Sequence, residues 1–429
     1  MTQELIVSIF LLILKTWWWL FLPIVLYFPA VSLYLYWVNW HVWYPKKEWV
    51  ILEIIPPGEI GKPFRAMEDL FSSIWMLYSA PNWREKWCEG SLPVAPSWFS
   101  FEILGIEGDV HFYLRLPKDQ RGYAETIIQS HYPEAEIFEA DDYTKNVPQD
   151  IPNKTYDLKG EDYVFLKPSD CLPIKTYEFF EPSTPELVKE AEKKIDPLTS
   201  LMEAMTKLKK GEQFWFQIIA APIINCKEIP WMDEAQKKIN KIAQRPGPAK
   251  PGKSIIQEVI DILIFNIFSS GETEKPAESK TQITPGEKNI LEAIEKKISK
   301  NAFKTNIRAL YIYQKDAYNG AHAAIARNYF AHFSTANLNT IILWAGTRTK
   351  VHYFFRDREL YVKKRDIFEK YIKRFTPLHP AMTGKGNMIL NIEELATIFH
   401  FPIQANTLPS GVPRIMSKKG TAPLNLPVG

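Results

Sequence analysis

Cysteine is scarce in this chain: three residues in 429, Cys88, Cys171 and Cys226. They are scattered, odd in number and without metal-ligand spacing, which suits a reducing compartment better than a disulfide scaffold. A dominant charge is missing as well. Lys and Arg number 52 against 49 Asp and Glu, a formal net charge of +3, so no global field argues for nucleic acid. The histidines include no H-E-x-x-H pair, and His322 and His332 stand too far apart for a single-helix ligand pair. With His400 they read as core or surface residues. No serine sits in a G-x-S-x-G context, and no cysteine has a convincing histidine partner. The neighbouring acids Asp141 and Asp142 fall in a turn-like stretch and read as solvated. Motif and composition therefore point to no catalytic residue, no cofactor and no metal ligand.

What the chain does have is a long apolar, aromatic start, from Leu5 to Trp43. The stretch from Trp17 to Trp37 carries no charge and is long enough to cross a hydrocarbon core of ~30 Å as a helix. Trp17, Trp18 and Trp19 at one end, with Trp37, Trp40 and Trp43 at the other, fit two interfacial belts. A secretory leader fits less well, because the block lacks a small-residue cleavage site and its apolar run is too long. Pro23 and Pro29 would kink such a span without forbidding it. Lys46 and Lys47 follow the span while Glu4 precedes the apolar block, so the positive-inside rule puts the main body in the cytoplasm; Lys15 pulls the other way. The expectation is a single-pass anchor with the bilayer as a partner.

Behind residues 1–48, the anchor, the pattern reads β-α-β-β-α-β over 49–145. Trp49 to Ile55 is a β-branched run ending in Pro56-Pro57. Phe64, Met67, Leu70, Phe71, Ile74 and Leu77 recur at helical spacing. Trp98–Ile106 and Asp109–Leu116 form a hairpin through Glu107-Gly108. A helix over Asp119–Tyr132 and a strand over Ala135–Ala140 follow. This is the order of a ferredoxin-like unit. A second unit of the same order is traced over 160–376. Its strands are expected at Tyr163–Leu166, Ile174–Phe180, Gln213–Ala221, Phe303–Gln314 and Thr340–Ala345, and its helices at Thr184–Lys194, Leu198–Lys209 and Ala321–Phe333. An insertion over about 230–300 carries two breaker-rich linkers, 245–253 and 269–284. Residues 377–429 are rich in Pro and Gly, with one short helix at Glu393–Phe399. The fold class expected is α+β: one transmembrane helix followed by two ferredoxin-like (βαββαβ) modules.

Gly247-Pro-Ala-Lys-Pro-Gly252-Lys253-Ser254 matches the P-loop expression G-x-x-x-x-G-K-[ST] letter for letter. Phosphate binding there would use loop amides, Lys253 on the β/γ-phosphates and Ser254 on magnesium. A buried strand should feed such a loop, yet Asp233–Arg245 is a charged helical stretch, and prolines 248 and 251 remove two amide donors. The match is set aside as a linker. Ile255–Phe268 is a strongly apolar helix between the linkers, too short to span a bilayer. It packs on the body, lies on a membrane, or docks a partner. Basic clusters at Lys207–Lys210, Lys237-Lys238, Lys363–Arg365 and Lys418-Lys419 could touch headgroups or phosphates, but each reads first as a solvated face.

Several strings resemble a known family. Phe101-Glu-Ile-Leu, Val110-His-Phe-Tyr-Leu-Arg-Leu-Pro117, Tyr132-Pro-Glu-Ala-Glu136 and Asp142-Tyr143 resemble the region ahead of the motor in conjugative, type IV secretion coupling ATPases of the HerA/FtsK-like kind. Phe330–Asn339, Ile389–Pro402 and Thr421–Pro427 resemble the end of that region. The motor itself has no counterpart in this sequence, so no ATPase activity and no catalytic residue is carried over. The resemblance implies a non-enzymatic component of a type IV secretion or conjugation-like machine in the bacterial inner membrane, docking to a separate motor ATPase or to copies of itself. The competing expectations are a P-loop nucleotide-binding protein using Gly247–Ser254, and an adaptor for membrane or nucleic-acid surfaces.

Overall fold

The computed structural model describes residues 2–57, 60, 63–77, 81–90, 98–180, 196–223, 231–243, 284–351, 355–374 and 386–402; of residues 2–24 it describes the side chains of 15, 16, 19, 22 and 23 only. Among these, nine strands pair into one sheet: β1 Trp49–Ile55, β2 Phe99–Ile106, β3 Asp109–Pro117, β4 Glu136–Ala140, β5 Tyr156–Phe165, β6 Glu212–Ile223, β7 Ala302–Gln314, β8 Ile341–Leu343 and β9 Met388–Asn391. Every pairing is antiparallel. The spatial order is β4-β1-β3-β2-β6-β7-β5-β8, and β9 pairs with the start of β7. Glu107 and Gly108, at φ 52° and 103°, turn β2 into β3. Positive φ at both central residues is the tight hairpin turn that matches strand twist.

The helices are α1 Thr2–Trp37, α2 Pro63–Trp75, α3 Arg121–His131, α4 Pro197–Thr206, α5 Trp231–Ile242, α6 Pro285–Ile298, α7 Ile325–Ala331, α8 Arg356–Ile372 and α9 Ile392–Ile398. Alternate residues of a strand face opposite sides of its sheet, and here both sides are covered. Leu52, Phe101, Phe112, Phe216 and Phe303 meet α2, α3, α4, α7 and α9 in the main core. Leu104, Trp215, Leu310 and Leu158 face the other way, against Ile367, Phe368 and Tyr371 of α8. Gly160 of β5 makes that contact close. A Cβ there would lie 2.4 Å from Leu310 and 3.0 Å from Ile367. Helices α5 and α6 pack on each other through Ala235, Ile239 and Ile294, around Cys171.

This architecture corrects the expected fold class. The strands divided between two ferredoxin-like modules belong to one continuous sheet, because β2 and β6 pair over eight positions from Phe99↔Ala220 to Ile106↔Gln213. The physical reason lies in β2 itself. Its burial is nearly complete on both faces, so its free edge needs hydrogen-bond partners that only another strand supplies in a dry interior. The expected strand at Ile174–Phe180 is a loop with a short 3₁₀ turn at Tyr177–Phe179. The expected helix at Thr184–Lys194 lies outside the described residues. Helix α8 and strand β9 were not anticipated.

The transmembrane expectation is corrected as well. Among the described residues no helix is long and apolar enough to cross a membrane, and the single-pass placement in a bacterial inner membrane, with a cytoplasmic body, falls with it. Helix α1 carries Pro23 and Pro29, and its end is committed to the protein body. Leu35, Val38 and Trp40 are buried, and the Tyr34 hydroxyl donates to the Trp87 carbonyl at 2.8 Å. Trp40 and Trp43, assigned to an interfacial belt, instead pack against the fully buried Trp98 at 5.9 and 6.3 Å between ring centroids.

Candidate functional site: a buried polar row across the sheet

Strand register places six polar side chains in line on the α8 face. Glu53 of β1 lies opposite Tyr113 of β3, Tyr113 opposite Glu102 of β2, and Glu102 opposite Gln217 of β6. Gln217 then lies opposite Arg308 of β7, and Arg308 opposite Asp162 of β5. Paired positions face the same side of a sheet, so the row crosses six strands and the join between the two halves of the chain. Glu102, Gln217, Arg308 and Asp162 are buried.

Glu102 is its centre. Its Oε1 accepts from Ser100 Oγ at 2.6 Å, Gln217 Nε2 at 2.9 Å and Arg374 Nε at 3.0 Å. Its Oε2 accepts from Tyr143 Oη at 2.7 Å and Arg374 Nη2 at 3.2 Å. Arg374 follows α8 directly and also donates to both oxygens of Asp142, at 2.7 and 3.1 Å. Burial by itself would push the Glu102 carboxyl up; the Arg374 guanidinium and the Ser100 and Tyr143 hydroxyls outweigh it and hold the group below its ordinary range. Asp142 is held down in the same way, burial opposing and Arg374 prevailing. Burial, then Glu102, pushes the Tyr143 and Tyr371 phenols well up, so both stay protonated donors. Further along, Arg308 Nε donates to Asp162 at 2.7 Å, and His111 Nδ1 lies 2.7 Å from Glu53.

A second buried cluster holds β9 and α9. Asn391 and Glu394 form a capping box on α9. Glu394 also accepts from the Ile174 amide at 2.9 Å and pairs with Lys297 of α6 at 3.0 Å, both side chains fully buried. Burial raises the Glu394 carboxyl despite Lys297. Beside it Lys300 bridges Glu68 of α2 at 2.6 Å and Glu393 at 2.8 Å. His400 presents both ring nitrogens to oxygens, the Ala396 carbonyl at 3.0 Å and the Asp196 carboxylate at 3.1 Å.

The remaining sequence-flagged residues are dispersed. Trp19 and Trp37 are more than half exposed. The side chains of Trp17 and Trp18 lie outside the described residues. So do Gly247, Gly252, Lys253 and Ser254, and the stretch Ile255–Phe268 where a helix was expected. Lys46 is exposed. Lys47 sits over the Trp43 ring at 5.5 Å and pairs with Asp119 at 3.6 Å. His322 pairs with Glu212 at 2.8 Å, and His332 lies 3.4 Å from Ser200. Among the described residues no group of three or more His, Cys, Asp or Glu is placed to hold a metal ion.

Two readings of polar residues needed the third dimension. Asp142 is not solvated but gripped by Arg374. Lys364, in a basic run read as surface, is buried and donates to Asp157 at 2.6 and 2.8 Å. A charged residue inside an otherwise apolar strand, such as Glu102 between Phe101 and Ile103, was the signal available in sequence. Chemically the row holds two buried ion pairs, Arg308–Asp162 and Glu102 with Arg374 from beyond α8, linked by the neutral Gln217. Every oxygen of Glu102 is engaged by a fixed neighbour, an arrangement that orients the side chains around it.

Fold and site together define an α+β protein built on one antiparallel sheet, pinned by a buried charge row. Residues 45–407 match the family described as "Domain of unknown function (DUF8128)", and the chain belongs to that family. No curated protein matches it.

Proposed function

We propose that this chain is a non-enzymatic docking component of a type IV secretion or conjugation-like translocation machine, seated against a separate motor ATPase. The observation that carries the reading is the meeting of the motor-flanking strings in one core. Phe101 and Phe112, from the first string, pack on Phe399 at 5.3 and 6.2 Å. Tyr132, from the second, packs on Phe401 at 5.0 Å. Tyr329, beside the Phe330–Asn339 string, donates its hydroxyl to the Ile398 carbonyl at 2.5 Å. Strings that resemble one family region at distant points of the chain thus form a single folded unit, as a transferred domain would. The ionisable groups at the centre of that unit pair with one another, which suits a scaffold.

The test is twofold. In-cell crosslinking of the full chain, followed by purification, should recover a P-loop translocation motor in defined stoichiometry; recovery of no motor counts against the proposal. ATP binding by the purified chain, abolished by Lys253→Ala, would replace it with the nucleotide-binding alternative.

A further inference from the structure

Among the described residues three arginines are buried: Arg115, Arg308 and Arg374. Arg308 pairs with Asp162, and Arg374 with Glu102 and Asp142. Among the same residues Arg115 of β3 pairs with no carboxylate. It lies on the face of the charge row, two residues beyond Tyr113 and opposite Ile51 and Ser100. Its Nη2 donates to Tyr44 Oη at 3.3 Å. Its Nη1 is shut off from solvent and has no hydrogen-bond partner. The guanidinium lies over the Trp49 ring, 4.1 Å from its centroid, an attraction that leaves the N–H donors unspent. Burial above all pulls the Arg115 guanidinium below its ordinary value; Tyr44 and Glu102 oppose this, and the like charge of Arg374 adds to it.

The side chains around it are donors too. Trp49 and Trp98 stand 4.9 Å apart between ring centroids, and Tyr44 stacks on Trp98 at 5.4 Å. The indole nitrogens of Trp49 and Trp98 are buried and without a hydrogen-bond partner. Guanidinium and indole groups donate and do not accept. Tyr44 Oη is the one side-chain oxygen of these four residues, and it already accepts from Arg115 and donates to the Lys373 carbonyl at 2.7 Å. Three unspent donors and one positive charge thus share a single aromatic box. Buried polar groups nearly always find a partner, and an unpaired buried charge is among the costliest things a core can hold.

We propose that this box binds a monoatomic anion, a halide such as chloride, held by Arg115 Nη1 with the Trp49 and Trp98 N–H groups as its further donors. A halide accepts from several N–H groups at once, carries no hydrogen that needs an acceptor, and compensates the guanidinium. A water would bring two hydrogens of its own and leave the charge uncompensated. The closure of all three nitrogens to solvent selects an ion of one atom over a phosphate or a carboxylate. Such an ion fastens the turn after α1, through Tyr44, to β1 and β3. This inference is independent of the secretion reading, because it rests on the chemistry of the box alone.

Thermal unfolding of the full chain tests it, with sodium chloride exchanged for sodium gluconate at constant ionic strength. The unfolding midpoint should rise with chloride and saturate, because a ligand of the folded state stabilises it by mass action. Bromide should replace chloride, and gluconate, too large to enter, should not. Arg115→Met should remove the halide dependence. Trp49→Phe and Trp98→Phe each keep a ring and delete one N–H, and each should raise the half-saturating chloride concentration about tenfold. These two variants decide the matter if Arg115→Met does not fold. Equal midpoints in chloride and gluconate overturn the proposal and leave the donors to buried water. The same halide dependence in Arg115→Met as in the parent, or unchanged half-saturation in both tryptophan variants, overturns it too by placing the halide elsewhere.

Discussion

Arg374 sits at φ 46°, a left-handed conformation that costs a non-glycine residue roughly 1–2 kcal/mol. What holds it there is the pair of carboxylates in front of it. Glu102 comes from β2, Asp142 from the turn after β4, and Arg374 from the end of α8, so one guanidinium ties three distant parts of the chain. Arg374→Met would leave Glu102 buried and uncompensated, a loss of about 3–5 kcal/mol, measured by urea unfolding at neutral pH. A loss under ~1 kcal/mol would mean the cluster is incidental. The pH dependence carries its own sign. Both carboxyls are held below their ordinary values. Their contribution is therefore present above the unfolded pKa of about 4 and is lost as pH falls through the lower folded value. The parent should destabilise steeply below about pH 4, and Arg374→Met should lose that steepness.

At the scale of elements, β9 and α9 form a strap whose side chains are all buried. A helix of seven residues has little stability of its own. It is held by its capping box, by the pairing of β9 with β7, and by Lys297. Lys297→Met or Glu394→Gln alone strands a buried partner and should cost about 3–5 kcal/mol each. The double variant should cost clearly less than the two together. Additive losses would show that Lys297 and Glu394 act separately. Much at this scale was legible in sequence. Apolar spacing placed α2, β7 and the β2–β3 hairpin close to their observed limits. Helix α8 was not, because Arg356 to Lys373 is mostly charged, and its apolar residues include the exposed Tyr361 and Val362 beside the buried Ile367, Phe368 and Tyr371, which blurs the helical period. Strand β9 was hidden for another reason: four residues, Met388–Asn391, are too few to show a period.

For the whole molecule, the decisive feature is the β2–β6 junction, and no local pattern could announce it. Alternation says which face of a strand is buried but not which neighbour completes its edge, so the two halves read as separate modules. The same blindness hid the charge row, whose members come from six strands and meet only through register. Because one sheet and one core run through both halves, heat should unfold the folded body in a single calorimetric transition, with van't Hoff and calorimetric enthalpies in agreement. Two resolved transitions would return the halves to independence.

The row also bears on how this family can change. Each member answers to the residue across from it, so a substitution at Arg308 alters what Asp162 and Gln217 can be, and Glu102 feels the change next. Drift at these positions should come in concerted sets across relatives, with intermediate sequences rare. The residues that weld the two halves together are thereby the ones least free to vary alone.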